Sequence, residues 1–305
     1  MVAAGALDSL QPDLVLRFGP VPTSKPTWQW LESHPQVEQI LVEVSELDAT
    51  RSATTVLAEA PTAVAAALAL AVPAVKSRQW TKRWNELDRT TATIIQQALL
   101  DAPFPNEPAI AQTVVEAAPA GTQLTIGSSM PIRDVDTFGG KSTKPIRLFG
   151  NRGTNGIDGV VSSALGSAAT SRPAVVLLGD VSLFHDLSAL GTATQLGLPI
   201  TIVVIHNDGG GIFNFLPQND PEVMDPAAFE TYLATPHQTD FVAVASALGV
   251  ETHAITAANE LARLVATPAP GPRLLQLRTD RKANLELHRK IAATVKRSLA
   301  SRGAV

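Results

Sequence analysis

"AVVLLGDVSLFHDLSALGTATQLGLPITIVVIHNDGGGIF", residues 174–213, holds two apolar runs, each closed by a polar residue. Asp180 ends the first, and Asn207 ends the second twenty-seven residues later. Continuous runs such as "AVVLLG" and "ITIVVI" predict strands buried on both faces, the habit of parallel sheets. The interval accommodates one strand–helix–strand crossover, because a helix of ~14 residues spans ~21 Å, about the length of a six-residue strand. The two tips then stand side by side, roughly 4.8 Å apart at the backbone. A carboxylate, a carboxamide and a carbonyl from the Gly209–Gly211 turn can converge there on one small cation. Mg2+ takes oxygen ligands at about 2.0–2.1 Å and leaves its other positions to water and phosphate. Helices opening at Asp180 and near Ile212 would aim N–H groups at the same spot and favour an anion. A Mg2+–diphosphate site at the carboxyl edge of a parallel sheet is the expectation. Taken singly, Gly-Asp or Asn-Asp-Gly is only a cap or a turn. Spacing, glycine run and apolar strands carry the reading together.

Outward from this stretch the α/β alternation continues. Helix "AIAQTVVEAA" and strands "QLTIGSS" and "IRLFGN" precede it, with helix "DGVVSSALGSAAT" between the last of these and residue 174. Helix "FVAVASALG" and strand "RLLQLRT" follow, and "HRKIAATVKRSLASRGAV" reads as a terminal helix whose basic residues suit the helix dipole. The fold class predicted is α/β, a doubly wound parallel sheet. Earlier, "DLVLRFG" (13–19), "EQILVEVS" (38–45) and "TTVLAEA" (54–60) read as strands, with helical "KPTWQWLESHP" between the first two. Three strands with so few helices leave a parallel sheet poorly covered, so 1–76 reads as part of a domain. The Ala-rich "AVAAALALAVPAV" (63–75) reads as a buried helix running into a linker, and 76–102 as a charged helical connector. The polar, Pro-rich 217–238, just past the cation site, suits an active-site lid.

The 305 residues are 45% hydrophobic and 17% charged, the profile of a globular chain. A formal charge of −4 without a long basic run argues against nucleic acid as partner. No cysteine is present, so neither disulfides nor a thiolate metal site can form, and a reducing cytoplasm fits. The first residues lack a signal-peptide pattern, and 63–75 is too short to span a bilayer, so no membrane insertion is expected.

The Gly179-Asp180…Asn207 pattern resembles the cofactor motif of thiamine-diphosphate enzymes. Together with "GSSMPIRDVDTF" (127–138), "GNRGTNGIDGVVSSALG" (150–166), "NDGGGIFNFLPQ" (207–218) and "RFGPVPTSKPTWQWL" (17–31), it is similar to one family among them. That family is the 2-succinyl-5-enolpyruvyl-6-hydroxy-3-cyclohexene-1-carboxylate synthases (MenD) of menaquinone biosynthesis. The resemblance implies thiamine diphosphate with Mg2+ (or Mn2+) as cofactors and Asp180, Asn207 and the Gly209 carbonyl as metal ligands. Gly179, Val181, Ser182, Gly210 and Gly211 would complete the cofactor cradle, and Ile157 would prop the cofactor into its bent shape. Ser129, Arg133 and Arg152 would hold substrate carboxylates, Ile212 and Phe213 would line the pocket, and Lys25 would reach the substrate from the central domain. The implied reaction decarboxylates 2-oxoglutarate and adds the succinyl carbanion to isochorismate.

Arginine suits that chemistry independently, since its planar fork matches a dicarboxylate, and Arg133 and Arg152 each follow a strand toward the Asp180 rim. His185 and Asp186 are neighbours on a helix and do not face each other, so an acid/base pair is not expected of them. His206 reads as structural or pocket-lining. The resemblance also implies a missing half. Residues 1–76 match the end of the central domain and 77–305 the diphosphate-binding domain, while the pyrimidine-binding domain, which carries the activating glutamate and comes from a partner subunit, has no counterpart. The chain therefore reads as a carboxyl-terminal half, inactive alone, working in a homodimer or homotetramer with that missing N-terminal domain. Two alternatives stand beside this reading, a synthase for another 2-oxo acid and a non-catalytic cofactor-binding or assembly subunit.

Overall fold

The computed structural model describes residues 5, 10, 12–20, 22–45, 48, 50–73, 79–140, 142–151, 156–170 and 172–301. The chain forms two compact units, Met1–Ala98 with Lys290–Val305, and Leu99–Arg289.

In the first unit β1 (Leu14–Phe18), α1 (Lys25–Ser33), β2 (Glu38–Val42) and β3 (Thr55–Leu57) precede α2 (Pro61–Ala71) and the long α3 (Gln79–Asp101). The strands run parallel in the order β1-β2-β3, as the alternation predicted. Trp30 and Leu31 of α1 pack with Val15 and Trp84, and buried Gln39 ties β2 to α1 by donating to Leu31 O at 2.9 Å. The far side is bare: every residue of β3 is exposed. The reading of 63–75 as a buried helix is corrected. No residue of α2 is buried, and Leu70 is 91% exposed. Apolar composition marks a surface that seeks cover; burial needs an element laid against it.

One polar knot holds the loop between β2 and β3. Asp48 accepts from Arg17 Nη2 and from Thr50 N and Oγ1 through one oxygen, and from Ser52 N and Ala53 N through the other. Burial pushes this carboxyl up, but hydrogen bonds from Thr50, Ala53 and Arg17 overcome it and hold the pKa at about 2. A carboxyl depressed below its unfolded value stabilises the fold above that value and stops doing so as pH falls through about 2. Asp48→Ala is expected to lower stability by about 3 kcal/mol at pH 7, since it orphans a buried guanidinium and several N–H groups. Denaturant titrations at pH 7 and pH 2 check this: the gap between variant and wild type should shrink at the lower pH.

The second unit carries α4 (Glu107–Ala117), β4 (Gln123–Ile126), α5 (Met130–Phe138), β5 (Arg147–Gly150), α6 (Val160–Ala168) and β6 (Ala174–Gly179). It continues with α7 (Asp180–Phe184), α8 (Ser188–Gln195), β7 (Ile200–His206), α9 (Pro226–Phe229), α10 (Phe241–Ala247), β8 (Glu251–Ala254), α11 (Ala258–Ala266) and β9 (Arg273–Arg278). Last in the chain comes α12 (Arg281–Ala300), of which residues up to Arg289 belong to this unit and those from Lys290 to the first; it begins seven residues before the predicted terminal helix. All six strands are parallel in the order β5-β4-β6-β7-β9-β8. Residues of α6, α8 and α10 form the core on one face (Val160, Leu190, Phe241), and those of α4 and α11 on the other (Val114, Leu261). The sheet is therefore doubly wound. From β4 the chain first steps outward to β5 and then returns to β6 on the other side, so the β4–β6 border is the topological switch point. In open parallel sheets the crevice beyond that point is where ligands bind.

Candidate functional site

The crevice is present, a cleft of about 650 Å³ at the carboxyl edge of β4, β6 and β7. Gly179 pairs in register with Ile205, so Asp180 and Asn207 leave neighbouring strand tips, as predicted. Ser129, Arg133, Ile157, Gly179, Asp180, Val181, Ser182, Asn207, Gly209, Gly210, Gly211, Ile212 and Phe213 all line it. Lys25 is an exposed residue of α1 in the first unit, and Arg152 falls outside the described residues.

At the floor, Asp180 is buried. Its Oδ1 accepts from Val181 N at 2.7 Å, and its Oδ2 from Gly209 N at 3.1 Å, which pulls the glycine turn onto the carboxylate. The turn is fenced from above. Gly209 has φ +136°, and a Cβ there would lie 2.1 Å from Ala234 O. Asp208 holds the facing segment by accepting from His237 N and Gln238 N. Asn207 donates from Nδ2 to Glu107 Oε1 at 2.8 Å, while its Oδ1 is buried with no protein partner. An orphaned buried acceptor beside a carboxylate is what a cation ligand looks like before the cation arrives.

Electrostatics point the same way. Burial pushes the Asp180 carboxyl up, against the hydrogen bond from Gly209 and the nearby His206 and His237. Burial, with the Asp134 carboxylate adding to it, lifts Glu107 to about 8. Buried acids crowd the site, and a divalent ion beside Asp180 would relieve them. A second donor set shares Asp180: the Nε2 atoms of His206 and His237 lie 3.9 and 3.4 Å from its Oδ2. Imidazoles suit zinc-like ions, and oxygens suit Mg2+. Only the oxygen set, Asp180, Asn207 and Gly209, lines the cleft.

One further expectation is corrected. The helix expected near Ile212 is a 3-10 turn, Gly211–Phe215. Its leading N–H groups are occupied, Gly210 by Ala234 O, Gly211 by Gly209 O and Phe213 by Gly210 O, so these three do not wait for an anion. Arg133 lines the rim from the first turn of α5 and donates to Ser129 O at 2.6 Å, which fastens the guanidinium to a residue with φ 72°. Such strained backbone is typical of ligand-contacting turns. Asp186 does not pair with His185; it caps α6, accepting from Ser162 N and Oγ at 2.8 and 2.7 Å. His206 is buried, as expected of a structural residue. Segment 217–238 holds a 3-10 turn, α9 and a π-helical turn, Glu230–Ala234, tied down by Arg281 Nη2 to Glu230 Oε2 at 2.9 Å. Sequence reasoning missed Glu107, His237 and Thr279 altogether. Only "NEP", a capping Asn followed by a helix-starting Pro, marked the place of Glu107.

Comparison with known proteins agrees with this geometry. Residues 140–276 match the thiamine pyrophosphate enzyme, C-terminal TPP binding domain. Over 97% of the chain, 40% of residues are identical to a 2-succinyl-5-enolpyruvyl-6-hydroxy-3-cyclohexene-1-carboxylate synthase of Chloroflexus aurantiacus, of which 51% is covered. The same synthase of Geobacillus thermodenitrificans is 38% identical over 95% of the chain and 50% of its own length. That of Bacillus velezensis is 36% identical over 92% and 49%. The chain thus spans about half the length of the curated relatives it matches.

Proposed function

We propose that this chain, which carries the TPP-binding domain of the thiamine pyrophosphate enzymes and is homologous to the 2-succinyl-5-enolpyruvyl-6-hydroxy-3-cyclohexene-1-carboxylate synthases over about half their length, is the diphosphate-binding part of such a synthase. The observation that carries the reading is the orphaned Asn207 Oδ1, set beside Asp180 and the Gly209 turn on the floor of the cleft. Asp180, Asn207 and the Gly209 carbonyl would hold Mg2+, and through the ion the diphosphate, because the N–H groups of the glycine turn are already spent within the protein. When bound, thiamine diphosphate supplies the carbanion chemistry that lets a 2-oxo acid lose CO2 and its remainder add to an acceptor. The protein's own residues bind and orient. Arg133 takes a carboxylate of 2-oxoglutarate or isochorismate at the rim, with Ser129 and Arg152 as further substrate contacts. Ile157 sets the cofactor's bend, and Ile212 and Phe213 form an apolar wall that keeps water from the reacting carbon.

The assembly is a homo-oligomer completed by a pyrimidine-binding domain and works in the cytoplasm, which suits a chain without cysteine. Exposed apolar residues on both units, Val56, Leu57 and Leu70 in one and Leu148 and Phe149 on edge strand β5 in the other, support such partners. No helix among the described residues is long and apolar enough to cross a membrane.

The test has two parts. Calorimetric titration of the purified chain should show thiamine diphosphate binding that requires Mg2+. Carboligation of 2-oxoglutarate with isochorismate should be absent with the chain alone and appear when a separately produced pyrimidine-binding half of a relative is added. Turnover by the unaided chain would refute the missing-half reading, and equal use of pyruvate would refute the dicarboxylate assignment.

A further inference from the structure

We propose that Glu107 is a positioning residue that turns the carboxamide of Asn207 so that its oxygen, and not its nitrogen, faces the cation. This rests on the reading of the cleft as a Mg2+–diphosphate site. A carboxamide has two ends of nearly equal size, exchanged by a half-turn about one bond, and only the oxygen end can ligate a hard cation. An asparagine ligand therefore needs a device that selects the end. Aspartate does not, because both of its ends are oxygens.

The device is visible. Glu107 Oε1 accepts from Asn207 Nδ2 at 2.8 Å and from Thr279 Oγ1 at 3.1 Å. A carboxylate oxygen accepts in that place, and so does the carbonyl oxygen of an acid whose proton sits on Oε2, while the Thr279 hydroxyl, donating to Oε1 as well, favours that arrangement. Flipping the amide would set Asn207 Oδ1 against Glu107 Oε1, oxygen to oxygen, with a hydrogen bond lost in a dry place. The acceptor itself is fixed. Glu107 opens α4, whose capping residue Asn106 accepts from Ala109 N at 2.9 Å and donates to Pro103 O at 3.0 Å. Thr279 N donates to His206 O at 3.0 Å, which anchors the second donor to β7 itself. On the opposite side the nitrogen end is hemmed in by backbone: a Cβ on Gly211 would fall 2.6 Å from Asn207 Nδ2. Glu107 is 1% exposed, and its Oε2 has no protein partner. Burying a carboxyl so incompletely satisfied is costly, and orienting a metal ligand is a function that accounts for it.

The experiment titrates Mn2+, which shares the oxygen site, into the full chain at constant thiamine diphosphate and follows the free-ion EPR signal. Glu107→Leu should weaken metal binding about 10- to 100-fold, the usual effect of losing an outer-shell partner, whereas Glu107→Gln keeps an acceptor and should stay within about threefold. The decisive variant is Glu107→Leu with Asn207→Asp. Aspartate needs no orienting, so the double variant should recover affinity. Should Glu107→Leu fail to fold, Glu107→Met, which keeps the length of the side chain but offers no such acceptor, takes its place, alone and with Asn207→Asp. Wild-type affinity in folded Glu107→Leu, or no recovery in either double variant, overturns the proposal. Absence of binding by the wild-type chain overturns instead the reading of the cleft on which it rests.

Discussion

Exchanging Asp180 for alanine is expected to abolish Mg2+-dependent binding of thiamine diphosphate while leaving the unliganded fold standing. The carboxylate is the one anionic group among the three proposed ligands, so without it the ion meets only neutral oxygens. The effect on the empty protein should be modest because two terms oppose. Gly209 N and Val181 N lose their acceptor, at about 1–3 kcal/mol. Against that, removal of a buried carboxyl, whose pKa burial pushes upward, relieves neighbouring Glu107 of a like charge. A ligand at a hundred times its Kd stabilises by about 2.7 kcal/mol. For a unit of this size that is a rise in Tm of about 5–10 °C. Thermal melts with and without Mg2+ and cofactor should show that rise in the wild type and none in the variant. A variant that still shifts would place the ion elsewhere, and the His206–His237 pair would be the first alternative.

What the sequence disclosed follows from how each element is buried. The strands β6 and β7 are sandwiched between helices, so nearly every residue of their runs is apolar, Thr201 being the exception before His206 at the tip, and the crossover could be read from the spacing alone. By contrast, β8 pairs on one side only, carries Glu251, Thr252 and His253, and offers no apolar run to notice. The misreading of α2 shows the reverse error: its alanines and leucines satisfy the composition of a core helix, but burial belongs to a pair of surfaces and a sequence shows only one.

The site divides in the same manner. Asp180, Asn207 and the glycine turn lie within about thirty residues, and their order along the chain is their order in space. Glu107 stands one hundred residues from Asn207, and Thr279 stands 172 from Glu107. No local pattern joins them; sheet order alone does, by placing β7 beside β9 and the start of α4 at their tips. His237 was hidden for a related reason, because it reaches Asp180 by way of the irregular 217–238 segment.

The largest effect on stability is expected from the smallest change, Gly209→Ala. With φ at +136°, Gly209 occupies backbone space that other residues enter at about 1–3 kcal/mol. The added methyl would also sit 2.1 Å from Ala234 O and 3.1 Å from Ala234 C, atoms of backbone that cannot rotate aside. Either the glycine turn or the Glu230–Ala234 turn has to move, and the hydrogen bond from Gly210 N to Ala234 O at 2.7 Å goes with it. Overpacking of this kind costs a further 1–3 kcal/mol or so, giving a total near 4 kcal/mol and a fall in Tm of about 8–16 °C. Gly166→Ala is the counterpart of opposite sign. That glycine lies exposed within α6, with ordinary φ and nothing within 4 Å of where the methyl would sit, so alanine should raise stability by about 0.4–1 kcal/mol by restricting the unfolded chain. Calorimetric melts of both variants separate the two cases. Should Gly209→Ala melt like the wild type, the turn would be free to relax, and a rigid cradle pressed onto Asp180 could not be the basis of ion binding.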